Sequence, residues 1–318
     1  MRKSLLVLAL AAPLLGQVRL TRADTQIDIQ VDGQPFSTLF FGPEAPKPYM
    51  HPLRSASGKV VTRGYPMIDV AGEPRDHPHH RGLWFTHGDV NGVDFWANEG
   101  PGPKKGRIRL NRVVEVRSGD KSGTLTLVLD WNSPDGKTLL TETRTTTIHA
   151  DPALRLLDLD IALQAGSEKV VFGDTKEGVF AIRLAAPLNE PAGKEKPGMA
   201  SPTGKMTSAE GLEGEKKVWG QRSAWVDYSG LLDGEKIGVA IFDHPSNPKH
   251  PTYWHSRSYG LFAANIFGEH DFHADKSRNG SVTVEPGGKL RFRYRVVIHP
   301  GDTREARVAE LYRKYVGT

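Results

Sequence analysis

Three stretches of this chain alternate apolar and polar residues over twelve or more positions: TLLTETRTTTIHA (138–150), ALRLLDLDIALQ (153–164) and KLRFRYRVVIHP (289–300). A period of two puts successive side chains on opposite faces, the mark of a strand with one face on a core. TQIDIQVD (25–32), GTLTLVLDW (123–131) and KIGVAIFD (236–243) repeat the pattern, each bounded by Gly, Asp, Asn or Pro. Strands of this length, two of them joined by the short turn ADPA (150–153), predict broad antiparallel sheets stacked face to face. The expectation is an all-β chain, a large antiparallel β-sandwich. One segment reads as a helix, DTREARVAELYRKY (302–315), with Asp302 and Glu305 spaced as a capping box. The Pro-, Gly-, Lys- and Glu-rich stretch 187–217 reads as a flexible excursion from the sheets, a flap beside a site.

The N-terminal end reads as an export signal, residues 1–23, leaving 24–318 as a single domain. Arg2 and Lys3 precede the apolar run LLVLALAAPLLG (5–16), which is too short to span a membrane. Cleavage is expected after Gly16 or after Ala23, and Gln17 stands where a lipoprotein box needs cysteine. The protein is therefore expected in the periplasm or outside the cell, with no membrane span in the mature chain. The signal holds four basic residues and no acid, so its removal takes the formal charge from +5 to +1. That leaves no motive for nucleic-acid binding, which needs a concentrated basic face. With no cysteine in the chain, disulfides, thiolate nucleophiles and zinc–thiolate sites are excluded. No phosphate-binding loop, dinucleotide fingerprint or serine nucleophile elbow is present.

Nine of the twelve histidines fall in two stretches, 76–96 and 242–273. Imidazole moves protons near neutral pH and is the commonest metal ligand. In DHPHHRGLWFTHGDVNGVDFW (76–96), Pro78 is expected to hold the backbone extended, with His77 and His79 on one side and His80 on the other. Gly82, Gly88 and Gly92 are expected to bring His87, Asp89 and Asp94 back towards them, and Trp84 and Trp96 offer an aromatic floor for a sugar ring. In GDTKEGVFAIRLA (173–185), Glu177, Val179, Ala181 and Arg183 share one face, and Phe180, Ile182 and Leu184 the other. Glu177 is a candidate base, with Lys176 beside it, and Arg183 a donor to ligand oxygens. In FDHPSNPKHPTYWHSRSYGLFAANIFG (242–268), Asp243, His244, Trp254, His255, Arg257 and Asn265 are the candidates.

These three motifs together resemble a bacterial family of unknown activity carried under the label methane oxygenase PmoA-like. A weaker similarity is to the galactose-mutarotase-like supersandwich, on the long antiparallel strands, the pocket histidines and the final strand FRYRVVIHPG (292–301). In mutarotases a histidine and a glutamate serve as acid and base; His77, His80, His255 and Glu177 are the nearest equivalents here. The resemblance implies an exported carbohydrate-active protein. Its catalytic candidates are His77, His80, Glu177 and His255. Its ligand contacts are Trp84, His87, Asp89, Lys176, Arg183, Asp243, His244, Trp254, Arg257 and Asn265. Mutarotation, epimerisation, elimination and hydrolysis all remain open, and no cofactor is required. One alternative is a divalent transition-metal centre on His77, His79 and His255. Another is a glycan-binding envelope module without catalysis.

Overall fold

In the computed structural model, described for residues 16–191, 193 and 201–317, two large antiparallel sheets face each other. The first has nine strands, in the order Tyr253–Ser256, Leu261–Asn265, Gly178–Arg183, Leu83–His87, Tyr49–Met50, Gln34–Phe40, Gln26–Val31, Gln17–Arg22 and Gly119–Asp120. The second has eight, in the order Lys205–Ser208, Trp225–Leu232, Glu235–Asp243, Lys289–Pro300, Arg155–Ala165, Thr138–His149, Ser122–Asn132 and Arg107–Arg117. Val170–Phe172 and Val282–Val284 form a small separate ribbon. The expected β-sandwich is the architecture observed.

The long alternating segments are the middle of the eight-stranded sheet. In Arg155–Ala165, Leu157, Leu159, Ile161 and Leu163 point inwards, and Asp158 and Asp160 point out to Arg295, Arg291 and Arg293 of the next strand. Across the sandwich they meet Phe85, Phe180, Ile182 and Phe262, with Phe180 stacked on Tyr294 at 4.6 Å between ring centres. Each such side chain, fully buried, contributes on the order of 1.5–3 kcal/mol.

Both sheets also carry cover on their outer faces. The C-terminal helix Val308–Val316 lies against Trp225, Ala240, Phe242 and Val297. It is shorter than the expected 302–315. The capping box does form, with Asp302 Oδ1 accepting from Glu305 N and Glu305 Oε2 accepting from Asp302 N, both at 2.9 Å. The chain then passes through Arg307 at a φ of 54°, and regular helix starts only after it. Within 187–217 the described residues include the edge strand Lys205–Ser208 and most of the short helix Glu215–Val218. Residue 192 and residues 194–200 lie outside the described residues, as do residues 1–15 of the expected signal. Residues 17–22 of that signal form the strand Gln17–Arg22, which buries Val18 and Leu20.

Candidate functional site

The outer face of the nine-stranded sheet carries a cross-strand row in register: Tyr49, Trp84, Ala181, Ala263 and His255. Bulky residues stand at the ends and two alanines in the middle, so the row forms a trough. Together with surrounding loops it becomes a cavity of about 420 Å³, reached by His77, His79, His80, Glu177, His255 and Arg257. That volume suits a small ligand. Asp94, Trp96, Thr175, Lys176, Tyr259 and Leu261 complete much of the wall. A larger open cleft of about 640 Å³ lies by the C-terminal helix. Lys205–Glu213 and Arg307–Glu310 already pair within it, and no imidazole lines it.

One wall is a column of stacked rings. Tyr259, His77, His80 and Trp84 follow at 5.5, 4.8 and 5.2 Å between ring centres, near parallel throughout. His79 meets His80 edge-on at 4.4 Å. Residues 77–80 form a turn, closed by His80 N donating to His77 O at 3.0 Å, and His77 has a φ of 44°. This corrects the extended backbone expected around Pro78: His77 and His80 stack on each other instead of pointing apart. Gly82 then turns the chain into the strand, where a Cβ would lie 2.1 Å from the Met50 carbonyl oxygen.

Charge behind the column fixes one tautomer. Arg183 is fully buried, and its guanidinium donates to His80 Nδ1 and to Asp76 Oδ1, both at 2.9 Å. Arg63, also buried, shares Asp76 and donates to His77 O at 2.9 Å. Burial by itself would raise the Asp76 carboxyl; Arg183, His77 and Arg63 outweigh it and hold it below the usual carboxylate range. A guanidinium has no acceptor, so His80 Nδ1 must accept and its hydrogen sits on Nε2. Burial first, then His79 and the nearby arginines, push the His80 imidazole far below its ordinary range. It is a neutral donor. His79 is lowered to about 3, again by burial first and then by Lys47.

The opposite wall fixes the other tautomer. His255 Nδ1 lies 2.8 Å from Lys176 O, an acceptor only, so Nδ1 carries the hydrogen and Nε2 a lone pair. Burial lowers His255 to about 4. Glu177 sits between the two histidine walls, its backbone oxygen accepting from Gly88 N at 2.7 Å. A Cβ on residue 88 would come within 2.9 Å of Glu177 Cβ, so this approach requires glycine. Burial raises the Glu177 carboxyl; Lys176, at 3.7 Å, opposes the shift and the Asp271 and Asp94 charges add to it. Arg257 pairs with Glu215 at 2.8 Å.

The remaining candidates lie elsewhere. Trp84 is at the foot of the ring column, covered by His80 and Trp96, so it offers no platform; Trp96 lines the cavity instead. His87 and Trp254 face the interior between the sheets: His87 packs on Phe267 at 4.5 Å, and Trp254 donates to Ser223 O at 2.9 Å. His87 Nε2 lies 2.8 Å from Gly173 O and Asn265 Nδ2 donates to Thr175 O at 2.9 Å, so both anchor the 173–177 loop from outside the cavity. Asp89 caps a turn through Gly92 N at 2.8 Å. Asp243 ends the strand Glu235–Asp243 of the eight-stranded sheet and His244 opens the loop that follows, away from the cavity. Among the described residues no three His, Asp or Glu side chains are arranged to hold a metal ion, so the His77, His79 and His255 trio does not form a centre. Asp94 and Trp96, both expected beside the histidines, do line the cavity. The sequence reading missed Asp76 and Tyr259, which stand inside the motifs it singled out with nothing in the pattern to rank them.

Residues 26–313 match the family of unknown function DUF6807. The chain belongs to that family. This replaces the PmoA-like label, and among the described residues no helix is long and apolar enough to cross a membrane. No curated protein matches the sequence. Among solved structures it is similar in fold to the α-galactosidase from Lactobacillus brevis, with 9% identity over 91% of this chain and 40% of that one, TM-score 0.43. A galactose mutarotase-like protein from Clostridium acetobutylicum is similar over 89% of this chain and 98% of its own, with 10% identity and TM-score 0.39. A polysaccharide lyase is 12% identical over 92% of this chain and 34% of its own, with TM-score 0.33. The chain spans about 40% of the length of the α-galactosidases it matches.

Proposed function

We propose that the cavity receives one sugar unit of a saccharide and exchanges protons with it through Glu177 and His255. The observation that carries this reading is the pair of neutral imidazoles fixed in opposite tautomers, His80 offering Nε2–H and His255 a bare Nε2. A hydroxyl both donates and accepts, so a polyol is the ligand class that satisfies both walls at once. Trp96 and Leu261 give its apolar face a surface.

Burial reverses the usual order of the acid and base. With His255 lowered to about 4 and Glu177 raised above its ordinary 4.5, a shared proton rests on Glu177 before His255. Glu177 is then the acid and His255 the base, an assignment set by environment and not by residue type. Mutarotation, epimerisation, elimination and hydrolysis all draw on such a pair.

Export is part of the proposal, on the basic and apolar residues 2–16. Of the two cleavage points, that after Gly16 leaves the strand Gln17–Arg22 whole, and that after Ala23 removes it.

The test is an NMR panel of monosaccharides and oligosaccharides, read for binding and for new product, with Glu177→Gln in parallel. Binding with turnover lost in the variant is the expected result. Binding without any product reduces the site to a glycan-binding module, and no binding across the panel overturns the reading.

A further inference from the structure

The loop that gives Asp94, Trp96 and Ala97 to the cavity continues into residues 100–105, which wall a second cleft of about 460 Å³. Its other wall is the start of the edge strand Arg107–Arg117 and the hairpin at 132–136. Arg107 and Arg109 flank the buried Ile108, so both guanidiniums project from the outer face. Lys105 joins them.

None of these three cations forms an ion pair among the described residues. Lys105 Nζ donates to Glu99 O at 2.6 Å, and Arg109 to Pro43 O at 2.6 Å and Ala45 O at 2.8 Å, all neutral carbonyls. Three neighbouring acids are committed elsewhere. Asp130 stands opposite Arg109 in register, yet its carboxylate accepts from Asn111 at 2.8 Å and Thr141 at 3.3 Å. Asp135 is held by Ser133 within the hairpin, and the Glu99 carboxylate is taken by Arg81 in two bonds of 2.9 Å. Burial, then the Arg107 charge, hold Arg109 below its usual range, with Glu44 opposing. Half-buried cations that repel each other and form no ion pair among the described residues are arranged for an anion from outside, and guanidinium geometry favours a planar or tetrahedral oxyanion.

We infer that this cleft binds the acid groups, carboxylate or sulfate ester, of an anionic saccharide. The anion site stands on the cleft alone; the saccharide rests on the reading of the cavity given above, which the same loop borders.

The test is calorimetry on the full chain with a uronate tetrasaccharide, its neutral methyl ester, a sulfated tetrasaccharide, inorganic sulfate, a single-stranded DNA oligomer and a neutral monosaccharide. The acidic tetrasaccharides are expected to bind about tenfold tighter than the ester at low salt, an advantage that salt screens away. Which of the two binds tighter separates carboxylate from sulfate. Arg107→Gln, which removes a side chain with no partner among the described residues, is expected to abolish most of that advantage and leave monosaccharide binding unchanged. Equal affinity for acid and ester, or an Arg107→Gln variant without effect, overturns the anion site. DNA bound as tightly as the uronate overturns its assignment to a saccharide. If sulfate and uronates bind through Arg107 while no neutral sugar binds, the cavity reading fails and the anion site survives it.

Discussion

The turn at 77–80 and the loop at 243–252 are built from the same letters, imidazoles, prolines and a nearby aspartate, and the fold spends them in opposite ways. In the loop, Asp243 is fully buried and its carboxylate accepts from Asn247 Nδ2 at 2.7 Å, Thr252 N at 2.9 Å and His250 Nδ1 at 2.7 Å. Both oxygens of this buried carboxylate are thus occupied from within the loop and its neighbouring strand. In the turn, Asp76 is taken by Arg63 and Arg183, and His80 gives Nδ1 to Arg183, yet His80 Nε2 and His255 Nε2 have no protein partner among the described residues. A closed network of this kind holds a loop in place. An open one beside a cavity leaves hydrogen-bonding capacity for a ligand. The difference lies in which nitrogens are left over, not in how many histidines are present.

Four expectations test that contrast. Glu177→Gln is expected to cut turnover of the saccharide by about 10²–10⁴-fold. Its denaturation midpoint should stay within about 0.5 kcal/mol of the parent's. Turnover that survives would remove Glu177 from the chemistry. Asp243→Ala should do the reverse, costing about 3–5 kcal/mol of stability by stranding buried partners. Ligand affinity of the protein that remains folded should be unchanged, and a loss of affinity would tie the loop to the site.

The third expectation concerns pH. Turnover needs His255 neutral and Glu177 protonated. It should fall below about pH 4 as His255 takes a proton, and fall again as pH rises through the elevated Glu177 value. A rate that climbs steadily towards pH 8 would exchange the two roles. The smallest effect is expected for His244→Gln. This ring lies on the surface against Tyr315, its Nδ1 accepting from Ser246 N at 3.0 Å, so stability and turnover should both change little. Calorimetry and the turnover assay check both.

Much of the sandwich could be read from the chain because its long strands have one wet face. Asp158 and Asp160 against Leu157, Leu159 and Ile161 announce which side is inside. The strands under the cavity are different. Leu83–His87 and Tyr253–Ser256 are buried throughout, so polarity does not mark their faces. That is why Trp84, His87 and Trp254 looked as available as His255. In Gly178–Arg183, Phe180 and Ile182 did mark the core side, and Arg183 emerged on the other. The turn at 77–80 defeated a local rule, because stacking of His77 between Tyr259 and His80 and the Arg63 bond to its carbonyl outweigh the preference that Pro78 imposes.

The account turns on the two walls carrying opposite tautomers. Two-bond ¹⁵N–¹H NMR of histidine-labelled protein at pH 7 reads this directly. The spectrum should show His80 protonated on Nε2 alone and His255 on Nδ1 alone. Either ring found doubly protonated, or both found in the same tautomer, would contradict the account.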